Sequence, residues 1–260
     1  MSGVKDEDDE SVSKNGQTKR GGDPGASRHG NFINYYQFHP AEERVRQLPR
    51  ELLIPNRPGQ NFVALDVGCN SGDLTIELHK FLSENLPDRK VSILGIDLDP
   101  VLIERAQEKN YHPELVRFEC LDFLSDNRES IVADYLSQRQ VDRFDLSFCL
   151  SVTMWVHANT GDAGLEHLLT ELCSMSESVL LEPQPWRCYR AASRRLRRAG
   201  QPELDLDRLK HRSDDQLLRF MNSVISDQAG FHRTHTSAEN DWGRRLMLFQ
   251  RSSQWSGQVE

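Results

Sequence analysis

Between residues 65 and 74 the chain reads LDVGCNSGDL. Asp66 closes a short apolar run, and Gly68 and Gly72 follow with Asn70 between them. Glycines placed this way let the backbone turn tightly and approach a ligand closely. The spacing G-x-x-x-G is neither the dinucleotide fingerprint G-x-G-x-x-G nor the phosphate loop G-x-x-x-x-G-K-[ST], so a phosphate cradle is not expected here. Two later stretches carry the groups a nucleoside would need. Asp97 in GIDLDP (95–100) suits ribose hydroxyls, and Asp122 and Phe123 in LDF (121–123) suit an adenine amino group and ring face. The backbone near Leu150, in CLS (149–151), belongs at the same edge. One carboxylate alone could simply cap a loop. Three suitable groups at three successive strand ends point to a ligand, because open α/β sheets bind ligands beyond the carboxyl ends of their strands.

A second stretch raises a different chemistry. Residues 182–198 read EPQPWRCYRAASRRLRR, with six arginines (Arg187, Arg190, Arg194, Arg195, Arg197, Arg198) and no acid after Glu182. The whole chain has 32 basic and 40 acidic residues, a formal charge of −8. At 100° per residue the six arginines fall within a sector of roughly 160°. Cys188, Tyr189, Ala192, Leu196 and Ala199 take the other side. A solvated face usually mixes signs. A single-sign stripe fits a polyanion such as RNA, and Arg187, nearest the preceding strand, is placed to reach a terminal phosphate.

These residues need elements to position them. FVALDV (62–67), VSILGI (91–96), VRFECLDF (116–123), RFDLSFCLS (143–151) and SVLLEP (178–183) read as strands. Amphipathic stretches at 72–86, from Pro100, at 129–138 and at 162–175 read as helices between them, with Asp99 as the cap before Pro100. A further helix near 214–227 and a hairpin from 229–236 and 244–251 complete the chain. Repeated β–α units imply a parallel sheet with helices on both faces. Residues 1–28, polar and nearly without large apolar side chains, are expected to be a disordered tail, and 29–255 a single domain. The longest apolar runs are too short to cross a bilayer. Cysteines 69, 120, 149, 173 and 188 form no C-x-x-C pair, which argues against zinc and disulfides and fits a reducing compartment. No export signal is expected.

The Asp-x-Gly-x-x-x-Gly turn resembles the S-adenosylmethionine loop of class I methyltransferases. Taken together, NFINYYQFHPAEERVRQLP, LDVGCNSGDL, DLDPVL, LDF, SVTMWVH and LLEPQPW resemble the bicoid-interacting-protein-3 type RNA methyltransferases, over about residues 30–250. The resemblance implies an α/β, Rossmann-like fold with a seven-stranded, mostly parallel sheet and a terminal antiparallel strand. It implies S-adenosylmethionine as cofactor and S-adenosylhomocysteine as product. It implies the 5′-monophosphate of RNA as acceptor, on histidine tRNA and microRNA precursors. With the missing export signal it implies a cytoplasmic protein, and a monomer with no DNA or membrane partner is expected. Residue by residue, Arg44 of HPAEER would pair with the cofactor carboxylate. Gly68, Asn70, Gly72, Asp97, Asp122, Phe123 and Leu150 would hold the rest of the cofactor. Tyr35 and Tyr36 would cover the cofactor or the RNA end, and Trp155 and His157 would border the acceptor.

Methyl transfer to a phosphate needs no strong base, because a phosphate monoester with a second pKa of about 6 is already anionic. SVTMWVH (151–157), read as a loop, lacks the [DNS]PP[YFW] pattern typical of base-amine methylation. Methylation of a protein or small metabolite, or RNA binding without catalysis, are the alternatives.

Overall fold

The structure is a computed structural model and describes residues 25–53 and 59–252. Its order is α1 (Tyr35–Phe38), α2 (Ala41–Arg46), β1 (Asn61–Val67), α3 (Asp73–Asn85), β2 (Lys90–Asp97), α4 (Pro100–Glu108) and β3 (Val116–Cys120). Then follow α5 (Arg128–Gln138), β4 (Leu146–Leu150), α6 (Thr153–Ser174), β5 (Ser178–Glu182), α7 (Trp186–Arg198), α8 (Asp214–Asn222), β6 (Phe231–Thr236) and β7 (Met247–Arg251). The sheet runs β3-β2-β1-β4-β5-β7-β6. The first five strands pair in parallel, and β7 is antiparallel to both neighbours. This is the class I methyltransferase fold expected from the sequence.

The strands are apolar on both faces because helices cover both. Along β1, Val63, Leu65 and Val67 pack with α5, α6 and α7 through Tyr135, Leu168 and Tyr189. The alternate residues Phe62 and Ala64 pack with Leu74, Leu78 and Leu82 of α3. The strand order reverses between β1 and β4, so a crevice opens above the carboxyl ends of these two strands. Asp99 caps α4 as anticipated, its side chain accepting from the Val101 amide at 2.9 Å, with Pro100 in the first turn.

Three sequence expectations change. The third strand stops at Cys120, which leaves Leu121–Phe123 as a loop at the crevice. SVTMWVH is not a loop: Ser151 turns the chain with φ 63°, and α6 begins at Thr153. Its break is at Gly161, where φ is 80° and ψ −174°, close to the helix start expected at 162. Of the tail expected over 1–28, residues 1–24 lie outside the described residues. Residues 25–28 already join the fold, with Ala26 against the core and Ser27 Oγ accepting from the Gly30 amide at 2.8 Å. Residues 253–255 of the expected domain also lie outside.

Gly72, at φ 77°, sits at the cap of α3, and a Cβ there would lie 2.7 Å from Phe118 Cζ and 2.9 Å from Ala106 Cβ. Gly72→Ala therefore combines a left-handed backbone cost with overpacking. It should lower stability by about 2–4 kcal/mol, read as an earlier urea midpoint.

Candidate active site

Above β1, β2 and β4 lies a cavity of about 210 Å³ that gathers most of the nucleoside-binding candidates: Gly68, Asn70, Asp97, Asp122, Phe123 and Leu150. Gly68 turns the chain at φ 76° directly after β1. Asp97 is 9 % exposed at the end of β2. Its two carboxylate oxygens accept from the Asn70 amide at 2.9 Å and the Asp99 amide at 3.0 Å, and burial raises its pKa. A carboxylate has about four acceptor positions, so capacity remains for a diol. Phe123 is 6 % exposed and, with Leu121, Leu150 and Val156, makes the apolar part of the wall. Asn70 is itself a structural hub. Its side-chain oxygen accepts from Ser71 N and its Nδ2 donates to Phe32 O.

Residues 28–35 cross over this cavity. Asn31 Nδ2 donates to Asp99 at 2.7 Å, and Asn159 Nδ2 donates to Arg28 O at 2.8 Å. His29, Gly30, Asn31 and Tyr35 thus form part of the wall. Among the described residues no lysine or arginine lines it, whereas Asp97 and Asp122 do. That charge suits a cation and disfavours a phosphate. The fit to S-adenosylmethionine is therefore chemical as well as topological: carboxylates for ribose and amine, an apolar slot for a ring, and no lysine or arginine among the described residues of the wall.

A second cavity, about 610 Å³, shares Tyr35, Ser151 and Trp155 with the first. Its walls include Phe38, His39, Trp242, Arg195 and Arg244. The Arg244 side chain is 11 % exposed, while the acids Glu43 and Asp241 are exposed. Between and behind the cavities sits Glu182, 1 % exposed at the end of β5. Its carboxylate accepts from Arg44 Nη2 at 2.8 Å, from Ser151 Oγ and from Asn240 Nδ2 at 3.0 Å, with Arg244 Nη1 at 3.5 Å. Arg44 Nη2 also donates to Tyr35 OH at 2.6 Å and Ser151 Oγ at 2.7 Å. Two guanidiniums face one carboxylate, so one net positive charge backs the wall common to both cavities.

A model of the bicoid-interacting protein 3 family matches residues 144–251, and a methyltransferase-domain model matches residues 65–174. A pre-miRNA 5′-monophosphate methyltransferase of Danio rerio is 40% identical over 240 residues, covering 88% of this chain and 94% of that one. The chain belongs to the bicoid-interacting protein 3 family of methyltransferases. A human RNA 5′-monophosphate methyltransferase is 41% identical over 243 residues, covering 87% of this chain and 81% of its own. Among solved structures, an O-methyltransferase family protein from Burkholderia thailandensis superposes with a TM-score of 0.51 at 14% identity. It covers 86% of this chain and 58% of that one, a likeness of fold alone.

Within this family framework, several placements differ from the sequence expectation. Arg44 does not line the cofactor cavity. At 3 % exposure it is held by Glu182, so it reaches a ligand only through Tyr35 and Ser151. Of the paired tyrosines, Tyr35 lines both cavities. Tyr36 points the other way, packs against the α3 side of the core and donates to Cys69 O at 3.2 Å. Gly72 is outside the cavity wall and serves helix–sheet packing. His157 is fully buried, with its ring nitrogens 3.1 Å from Tyr189 OH and 3.4 Å from Asp162, and burial lowers its pKa. Two residues of helix separate it from Trp155 by about 200°, which places Trp155 at the cavities and His157 in the core.

Arg187 is likewise diverted. Its guanidinium donates to Trp242 O at 3.0 Å and lies outside the acceptor cavity. Cys188, Ala191 and Arg195 present one side of α7 to that cavity, so Arg195 is the arginine of the stripe that reaches it. Glu182, Ser151, Arg244 and Trp242 were missed. A signal existed for Glu182: it is an acid ending an apolar strand, the rule that singled out Asp97.

Asp66 is buried and accepts from Thr75 Oγ1 at 2.6 Å, and burial raises its pKa to about 7. An acid raised in the folded state contributes full stability below its unfolded pKa of about 3.9, and that contribution is lost as pH rises through 7. Urea midpoints should therefore fall between about pH 4 and 7, and Asp66→Asn, which keeps the oxygen facing Thr75, should flatten that fall. Glu182→Ala should destabilise by about 3–5 kcal/mol, since it strands two buried guanidiniums; chemical denaturation measures it.

Proposed function

We propose that this protein transfers a methyl group from S-adenosylmethionine to a 5′-terminal phosphate oxygen of RNA. The observation that carries this is the pair of cavities with a common wall: one lined by carboxylates and apolar groups, the other by Arg195 and Arg244 and aromatic rings. The Danio rerio and human relatives are named as methyltransferases of pre-miRNA and RNA 5′-monophosphate, which supports this acceptor chemistry. MicroRNA precursors follow from the Danio rerio name, and histidine tRNA from the sequence resemblance.

When bound, the cofactor supplies a methyl group on a sulfonium. In this reading, Asp97 holds the ribose, Asp122 and Phe123 the adenine, and Gly68 and Asn70 the amino-acid end. Arg244 and Arg195 hold the acceptor phosphate, whose oxygen needs no deprotonation near neutral pH. Tyr35 and Ser151 stand where the cavities meet, fixed by Arg44, and orient the reacting groups. Phe32 and Trp155, at 5.8 Å and edge to face, keep water from this junction. Orientation and exclusion of water are the principal aids a displacement by an anionic nucleophile requires. The exposed Arg190, Arg194 and Arg198 of α7 extend the positive surface along the RNA backbone.

Labelled methyl from S-adenosylmethionine should enter RNA with a 5′-phosphate and not the same RNA with a 5′-hydroxyl. Equal labelling of the two overturns the reading. Arg195→Ala should lower kcat/KM for phosphorylated RNA about 10-fold or more, the scale of a lost charge-assisted hydrogen bond. Arg190, Arg194 and Arg198 changed together to Glu should raise the RNA KM and flatten its salt dependence while cofactor affinity stays constant.

A further inference from the structure

His39 ends α1 and forms part of the second cavity wall. Its ring is clamped edge to face against Trp242, with centroids 4.5 Å apart, and lies 4.9 Å from the Tyr35 ring. Despite this fixed position, its Nδ1 is buried without a hydrogen-bond partner among the described residues. A buried polar atom left unpaired costs about 1–3 kcal/mol, so the ring contacts with Trp242 and Tyr35 hold His39 here at the expense of that nitrogen. Burial lowers its pKa to about 3, and the two charged groups that act on it, Arg244 of the segment before β7 and Arg44 of α2, push the same way. The exposed Glu43 and Asp241 belong to the wall of the same cavity. The ring is thus uncharged among cations, with one nitrogen a donor and the other an acceptor.

That combination has a use in phosphate methylation. Every cation placed on the phosphate strengthens binding but withdraws charge from the attacking oxygen. A neutral N–H identifies a phosphate oxygen with less withdrawal. We propose that His39 is a specificity-determining residue that recognises the 5′-phosphate by donating its ring N–H to an oxygen other than the attacking one. This rests on the phosphate-methylation reading above.

The test compares binding of two RNAs, identical except for a 5′-phosphate or a 5′-hydroxyl, by fluorescence anisotropy with S-adenosylhomocysteine present. Wild-type protein should prefer the phosphorylated RNA. His39→Ala should lose about 10-fold of that preference while binding the hydroxyl RNA as before, a split that general loosening of the fold would not produce. His39→Gln, which keeps an uncharged N–H donor, should recover part of the preference and serves if the alanine variant fails to fold. If wild type discriminates and both variants keep the full preference, the role of His39 is overturned. If wild type binds both RNAs equally, the phosphate reading fails, and the inference with it.

Discussion

The Glu182 carboxylate, buried at the end of β5, is the interaction on which the rest of the site depends. It accepts from Arg44, Ser151 and Asn240 and lies beside Arg244. These partners come from α2, the turn after β4 and the segment between β6 and β7, so one side chain joins the N-terminal helices, the sheet centre and the terminal hairpin. Burying one carboxylate alone is strongly unfavourable, and so is burying one guanidinium. Each makes the other tolerable, provided that hydroxyl and amide groups complete the hydrogen bonding. Ser151, a non-glycine residue held at φ 63°, is kept in that conformation by the same cluster.

The cluster also divides the site electrically. On one side Asp97 and Asp122 line a cavity that has no lysine or arginine among its described residues. On the other, Arg244 and Arg195 line a cavity whose acids, Glu43 and Asp241, are exposed. A cationic methyl donor and an anionic acceptor would each find its counter-charge on its own side. The junction, built from Tyr35, Ser151 and Trp155, is where their reacting atoms would meet. The overall charge of −8 has no bearing on this local arrangement.

The sequence by itself determined the β–α alternation, the closing hairpin, the Asp99 cap and most of the cofactor side: Gly68, Asn70, Asp97, Asp122, Phe123 and Leu150 all line one cavity. They were legible because each sits at a strand end, where topology dictates position before any packing is known. Only the tertiary structure decided the acceptor side. Arg44 turned inward because Glu182, 138 residues later, needed a partner. His157 turned inward because the chain after Ser151 coils into a helix and sets it about 200° from Trp155. Arg187 went to Trp242 O and Arg195 to the cavity because the start and direction of α7 fix which turn passes which loop. A long side chain has several partners within reach, and the choice among them belongs to segments distant in sequence.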